Sequence, residues 1–597
     1  MSGYAPVRSR QPPYAPWAPP RRFRSGLTNS ISSMGSSDAA QSVSDKFAVP
    51  FDSPAAMFNG PEADDKLHNP DTRRDFKTDK GGIILTTRGF MNLGCVFVLA
   101  VGIVGLFAGF PLASYILTPK LSTQGGFNYG GINGTGQIPL MPGNRAVIDR
   151  DTPEDAKTKT DYVNGQTWEL VFSDEFNTDG RTFYPGDDPY WEAVDLHYWQ
   201  TGNLEWYDPS AIMTRNGALE ITLSEKPNHN LNFTGGMLST WNQFCFTGGL
   251  VEASVTLPGT NNVRGLWPAI WSMGNLGRAG YGASLDGMGL RLTVVPPTPL
   301  PIPSPLARQW PYSYDSCDVG TVKNQTKDGL PLVAAQNGDQ GALSFLPGQR
   351  LSRCTCPGES HPGPVHENGE YVGRSVPEID MFEGQVGGAV KDETLGAVSQ
   401  SAQWAPFNAG YSADHDAYLI TDTSKSMANS YGGGIFQQAT SVVTRANQDA
   451  YDHGGQTFST YGFQYKPGAD GAYIAWVADG SLSWTMESAA VGPDSDSQIS
   501  QRLVSQEPMY LIMNLGISQG FGEVDFAHLV FPTKMRVDWI RVYQDPSAKN
   551  IGCDPSDFPT AAYIAQYQEA YTNALLTTWE DDFKQAMPKN SFLGECS

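Results

Sequence analysis

The stretch Val376-Pro377-Glu378-Ile379-Asp380-Met381-Phe382-Glu383-Gly384-Gln385 puts three carboxylates within six residues of a segment otherwise patterned as a β-strand. On a regular strand, side chains at i, i+2 and i+4 share one face. Glu378 and Asp380 obey that rule, whereas Glu383, at i+5, points the other way. One extra residue in a β-bulge at Met381 and Phe382 brings Glu383 back beside the other two. Three crowded acids repel one another, and at least one pKa must rise. That cost is out of place in a structural strand but suits a glycosidase, which needs one carboxylate ionised as nucleophile and another protonated as acid. A solvated acidic edge strand is the alternative reading of the same spacing.

Working outward, short runs rich in β-branched and aromatic residues alternate with Gly, Asn and Asp clusters from Trp168 onward. They include WELVFSDEF (168–176), ALEITLSE (218–225), GLVEASVTL (249–257), AYIAWVADG (472–480), MYLIMNLGIS (509–518) and MRVDWIRVYQ (535–544). Period-two alternation in the third and last of these marks strands with one buried face. Turn-bounded strands with few helices predict an all-β sandwich or jelly roll. The chain has 597 residues with 64 Gly, 43 Pro and 17 % charged residues, which excludes collagen, coiled coil and full disorder. Its net charge of −22 speaks against a uniformly basic nucleic-acid binder.

The Glu-x-Asp-x-x-Glu of residues 378–383 resembles the signature of glycoside hydrolase family 16. Supporting matches flank it in order: LVFSDEF (170–176), GLWPAIW (265–271), MYLIMNLGIS (509–518) and VDWIRVYQ (537–544). With GNLGRAGYGAS (274–284) and WPYSYDSCDVG (310–320), the chain is similar to fungal membrane-anchored β-1,6-glucan synthesis proteins of the killer-toxin-resistance/SKN type. The resemblance implies a concanavalin-like β-jelly-roll sandwich over residues 161–550 with a sugar-binding cleft. Carried over by position, Glu378 is the nucleophile, Glu383 the general acid/base, and Asp380 tunes Glu378 by a hydrogen bond. Trp267 and Trp271 match the family's aromatic pair near the cleft. Asn203, Glu205 and Trp206 align more loosely with a sugar-binding segment, and Trp404 is a further candidate. Trp faces stack on pyranose rings, although Trp also fills cores; Trp168 and Trp539 are read as core. The chemistry needs no cofactor. A structural calcium is known in the wider family, but no residue set here fixes its ligands.

Between Arg88 and Lys120 there is no charged residue, and residues 90–117 form an apolar run longer than the ~20 residues a bilayer requires. The run is expected to be one N-terminal transmembrane helix. Arg73, Arg74, Lys77, Lys80 and Arg88 precede it while Lys120 stands alone after it, which places the N-terminus in the cytosol. The expectation is therefore a single-pass type II protein of the endoplasmic reticulum, Golgi or plasma membrane. The acceptors Asn133, Asn232 and Asn324 and six of the seven cysteines lie beyond the run, consistent with a glycosylated, disulfide-bonded lumenal body. Residues 1–88 hold twelve Lys/Arg against nine Asp/Glu, and the remainder nets −25. Residues 1–80 read as a disordered cytosolic tail and 118–160 as a lumenal stalk. No feature identifies a protein partner.

Near the end, Tyr563, Tyr567, Tyr571, Leu575 and Trp579 recur every four residues, which predicts a helix within a 551–597 extension, packed on the sandwich. Six lumenal cysteines allow fifteen pairings; Cys317 is paired here with Cys354 or Cys356. Zinc on Cys354, Cys356, His361 and His366 is the rival, but Cys-x-Cys is not the usual ligand spacing. The expected function is a retaining β-glucan hydrolase or transglycosylase in cell-wall β-1,6-glucan biogenesis; the alternative is a non-catalytic glucan-binding assembly factor on the same fold. A Pro-dense stretch at 289–309 has no strand or helix pattern and separates two segments that the resembled family joins almost directly. It reads as a retained intron. Sequencing the spliced transcript is expected to show a message without these codons; their presence makes the stretch a genuine loop.

Overall fold

The computed structural model describes residues 87–110, 112, 147–286, 312–390, 394–406, 411–435 and 437–596. The tail 1–80, the acceptor Asn133 and the stretch 289–309 lie outside the described residues. The chain divides into two compact units, Met1–Leu117 and Thr118–Ser597.

In the first unit the helix Thr87–Val104 is followed by a π-helical turn, Gly105–Gly109. Among the described residues no helix is long and apolar enough to cross a membrane. Residues 111 and 113–117 of the expected transmembrane helix over 90–117 lie outside the described residues, and the described part is an α-helix followed by the π-helical turn. The α-helix begins on the polar Thr87 and Arg88, then widens at a run holding Gly102, Gly105 and Gly109, residues of low helix propensity. Its apolar side chains stand exposed, Val96 and Phe97 at 67 % and Phe107 at 74 %.

In the second unit, twenty strands among the described residues form two sheets of ten. The first sheet has at its centre Thr167–Asp174, Thr533–Gln544, Gly249–Thr256, Ser459–Lys466, Tyr473–Ala478 and Ser481–Glu487, in that spatial order. The second runs Ala439–Arg445, Gly396–Gln403, Glu378–Val386, Leu266–Gly274, Met509–Ile517 and Phe233–Ser239. Neighbours are antiparallel, apart from the short strand Glu205–Tyr207, which runs parallel to Phe233–Ser239. Inward-facing residues of both sheets, among them Phe172, Val251, Ile270, Phe463, Leu511 and Val537, make one continuous core. This is the all-β sandwich that the alternation predicts. Of the expected stalk 118–160, residues 118–146 lie outside the described residues, and 147–160 belong to the sheet edge: Ile148 bridges Ser173, and Thr158–Thr160 pairs with Thr167–Asp174.

Trp168 is 7 % exposed in a satellite cluster with Leu170 and Tyr543. Trp539, expected in the core, is only half-buried, because a β-bulge between Val537 and Trp539 shifts the phase of the strand and turns Trp539 to the outer face, under the Arg541 guanidinium at 4.0 Å.

The C-terminal extension departs from the single helix read in the sequence. Two short helices, Ala561–Gln566 and Gln568–Thr572, break at Tyr567, which leaves helical geometry at φ −115° and ψ 32°. Leu575 is 86 % exposed while Tyr563, Tyr571 and Trp579 are buried. Tertiary contacts override the period-four pattern. The Arg350 guanidinium stacks on Trp579 at 3.7 Å and donates to the Tyr563 hydroxyl at 2.8 Å. Arg278 donates to the Tyr571 carbonyl, and Arg374 to the Pro559 carbonyl. The extension thereby covers part of the outer face of the second sheet and builds a second core with Met237, Trp271, Met273, Tyr510 and Ile512. Disulfides Cys245–Cys553 and Cys356–Cys596 tie it down, and Cys317 pairs with Cys354. Both sulfurs of the Cys-x-Cys are therefore in disulfides rather than on zinc. Among the described residues no cluster of His, Cys, Asp and Glu fit for a metal occurs.

Arg374 also makes a two-pronged contact with Glu507, at 2.8 and 2.7 Å, and both side chains are buried. Removing one partner strands the other charge, so Arg374→Met is expected to lower unfolding free energy by about 3–5 kcal/mol. Arg374→Met combined with Glu507→Met should recover much of that loss; urea midpoints of both variants check it.

Candidate active site

The strand Glu378–Val386 lies in the interior of the second sheet, between Leu266–Gly274 and Gly396–Gln403. Its register explains the carboxylates. Asp380 faces Ser401 and Glu383 faces Ser399, so the three steps on this strand oppose two on its neighbour. The same slip occurs against the other neighbour, where Trp271 meets Asp380 and Ile270 meets Phe382. This is the bulge that the sequence requires. Met381 and Phe382 both turn into the core, each fully buried, and Phe382 packs against Tyr461. Gln400, opposite the bulge, donates to the Met381 carbonyl at 3.2 Å and the Val477 carbonyl at 2.9 Å, while Trp476 donates from the other sheet to the Asp380 carbonyl at 2.8 Å.

Glu378, Asp380 and Glu383 then line one cavity of about 690 Å³ on the outer face of the sheet. A second cavity of about 1390 Å³ shares Thr201, Trp267 and Glu383 with the first, so the two form one groove with Glu383 at their junction. The smaller end is bounded by Met237, Met273 and Leu285 of the second core; the larger is lined by Ser399, Ser401, Gln403, Asn429, Gln437 and Ser441 among others. Among the described residues, the three carboxylates are the only charged ones lining either cavity.

Burial, more than any other cause, pushes Glu378 well above the ordinary carboxylate range, and the charges of Asp380 and Glu383 add to it. Asp380 is 2 % exposed, and burial raises it to about 6 against the opposing hydrogen bonds from Ser401 and Gln403. Both donors go to Oδ2, at 2.8 and 3.3 Å. Glu378 and Asp380 hydrogen-bond each other and titrate as a pair that retains a proton where isolated carboxylates have none.

Trp267 and Trp271 both reach the cleft. Trp267 Nε1 donates to Glu383 Oε1 at 3.0 Å, and its ring stacks on Phe521 at 4.3 Å. Trp271 is 8 % exposed and donates to Asn514 Oδ1 at 2.8 Å. Asn203 lines the smaller cavity, with Nδ2 donating to Glu205 Oε1 at 2.6 Å. Glu205 lies beneath it at 0 % exposure, and burial raises its pKa to about 7. Trp206 is placed elsewhere: alternation turns it away from Asn203 and Glu205, onto His229 at 3.9 Å and Asp195 at 2.6 Å. Trp404 is not a cleft residue. It is 2 % exposed in the main core and bonded to Thr440, because the preceding residue, Gln403, takes the outward position. Sequence reasoning missed Gln200, Gln403, Asn514 and Phe521. Asn514 had a signal, as the one polar side chain in the run MYLIMNLGI.

A family model described as "Beta-glucan synthesis-associated protein SKN1/KRE6/Sbg1" matches residues 55–290 and 306–596, leaving 291–305, inside the Pro-dense stretch, unmatched. The chain is 40 % identical over 593 residues to the beta-glucan synthesis-associated protein KRE6 of Candida albicans, spanning 95 % of this chain and 74 % of that protein. It is 39 % identical over 550 residues to KRE6 of Saccharomyces cerevisiae, spanning 91 % of this chain and 70 % of that one. Among solved structures, a laminarinase catalytic domain from Thermotoga petrophila aligns over 64 % of this chain and 98 % of its own length, at 17 % identity and a TM-score of 0.33. With the family model matched on both sides of the gap and these relatives alike over more than nine-tenths of its length, the chain belongs to the SKN1/KRE6/Sbg1 family of beta-glucan synthesis-associated proteins.

Proposed function

We propose that this protein is a retaining glycosidase or transglycosylase that acts on β-glucan during assembly of cell-wall β-1,6-glucan. The observation that carries the reading is the bulged strand, which gathers Glu378, Asp380 and Glu383 on the floor of a groove whose other described lining residues are uncharged, with hydroxyl, amide and aromatic side chains among them. Such a lining suits a neutral polyhydroxylated chain, and among the described residues it holds no cation to balance a charged one. Membership of a family described by β-glucan synthesis supports the substrate class.

In the first step Glu378 attacks the anomeric carbon as the glycosidic C–O bond breaks, and Glu383 protonates the departing oxygen. The glycosyl ester on Glu378 is then resolved by water or a sugar hydroxyl, whose proton returns to Glu383. Trp267 fixes one oxygen of Glu383 for both transfers. The attack needs Glu378 ionised, so the proton of the Glu378–Asp380 pair, which the larger upward shift favours on Glu378 at rest, has to pass to Asp380 before attack. With Asp380 Oδ2 accepting from Ser401 and Gln403, its other oxygen is the one suited to carry that proton.

The apolar run 90–117 with its basic N-terminal flank supports membrane attachment in type II orientation, with the catalytic unit lumenal and the N-terminus cytosolic. Asn232 is exposed, as a glycan acceptor must be, and Asn324 is partly so.

Glu383→Gln is expected to lower turnover of β-glucan oligosaccharides by roughly 10²–10⁴-fold. A mechanism-based fluoroglycoside should label Glu378 in the parent and leave Glu378→Gln unlabelled; full complementation of wall β-1,6-glucan by Glu378→Gln would remove catalysis from the essential role. The Glu378–Asp380 pair also sets a stability trend. Its raised pKa values mean that the fold keeps a proton the unfolded chain releases, so stability falls as pH rises from about 4 through those values. Glu378→Gln should therefore melt higher than the parent at pH 7, with the gap closing toward pH 4 in thermal scans. For orientation, Asn232→Gln should abolish one endoglycosidase-sensitive mobility step while an N-terminal epitope stays open to protease outside sealed microsomes.

A further inference from the structure

Gln200 lines the smaller, closed end of the groove beside the carboxylates. It is 3 % exposed, and neither its amide nitrogen nor its amide oxygen has a hydrogen-bond partner. Buried polar side-chain atoms are paired in the large majority of cases, and leaving one unpaired forfeits the hydration it gave up on burial. Gln200 leaves two.

The side chain is also held in place. Trp199–Thr201 is a single 3₁₀ turn, ended by Gly202 at φ 65°, ψ 38°, a left-handed conformation that a side chain would strain. The Gly202 N–H closes the turn onto the Trp199 carbonyl at 3.0 Å. The other polar groups around it are committed to one another. Thr201 donates to Asn203 Oδ1 at 2.6 Å; Asn203 Nδ2 donates to Glu205 and Tyr207. Asn514 accepts from Trp271 and donates to Tyr207. Gln200 thus keeps both an unspent donor and an unspent acceptor beside Thr201, Asn203 and Asn514, whose side chains are already bonded.

An amide with both functions available matches a hydroxyl, which donates and accepts. A carboxylate or phosphate would use only its N–H and would be repelled by Glu378 and Asp380. We propose that Gln200 is a specificity-determining residue, pairing with a ring hydroxyl of the glucosyl unit held at the closed end of the groove. The assignment rests on the β-glucan reading and deepens it. A site built to bond a hydroxyl discriminates sharply against a sugar that lacks it, because the buried amide is then stranded.

The test uses the full chain in detergent micelles, with Glu383→Gln as parent so that bound glucan is not turned over. Dissociation constants are measured for β-1,3- and β-1,6-linked glucotetraoses and their monodeoxy analogues, with and without Gln200→Leu, alongside melting temperatures. Gln200→Leu is expected to melt at or above the parent, because it removes two unpaired polar atoms, and to bind glucan at least about tenfold more weakly. One monodeoxy analogue should bind the parent weakly by the same factor and show no further loss in the Leu variant. Equal glucan affinity in parent and Leu variant overturns the assignment. So does a Leu variant that melts several degrees lower, which makes Gln200 part of the fold. A parent that binds no glucan overturns the substrate reading itself, a result distinct from either.

Discussion

The extra residue in the strand Glu378–Val386 is the constraint on which the site depends. On an unbulged strand of the same sequence, Glu383 would point into the core and Phe382 would face the groove. The core holds the irregularity in place. Two consecutive apolar side chains are sunk side by side, Gln400 spans from the Met381 carbonyl to the Val477 carbonyl, and Trp476 reaches across the sandwich to the Asp380 carbonyl. Backbone groups that a bulge leaves without ladder partners are thus satisfied by side chains from two strands. The strain of three neighbouring acids is borne by the packing of the opposite sheet, which has no chemical role of its own.

A second layer closes one end of the groove. The C-terminal extension has too little regular structure to stand alone, and buried arginines of the body hold it through carbonyls, a hydroxyl and aromatic faces. Arg278, Arg350 and Arg374 each combine hydrogen bonding with stacking on an aromatic ring, a double function that the planar guanidinium supplies and an ammonium does not. The residues they secure include Tyr563, Tyr571 and Trp579, which join Met273 and Leu285 in the apolar cluster behind the smaller cavity.

Much of this was legible in the sequence, for identifiable reasons. Period-two alternation revealed the strands, and an i+5 carboxylate forced the bulge. The limits are equally specific. The Tyr563–Trp579 spacing imitates a helix, but the side chains obey the arginines beneath them rather than a common axis. Trp404 was taken for a sugar platform by residue type, while strand phase gave the outward position to Gln403. Trp206 failed for the same reason, being out of phase with Asn203 and Glu205. Gln200 carried no signal, since an unpaired amide is visible only when its surroundings are known.

The order of the second sheet has a consequence for biosynthesis. Met509–Ile517 lies between Leu266–Gly274 and Phe233–Ser239, strands made more than two hundred residues earlier, and Thr533–Gln544 likewise lies between Thr167–Asp174 and Gly249–Thr256. The centre of the second sheet is not complete until Ile517 has emerged, nor that of the first until Gln544 has. Early strands must wait with open edges, a state prone to aggregation in slow, non-local β topologies. Any message that stops short of these two strands encodes no partial sandwich, only a client for chaperones.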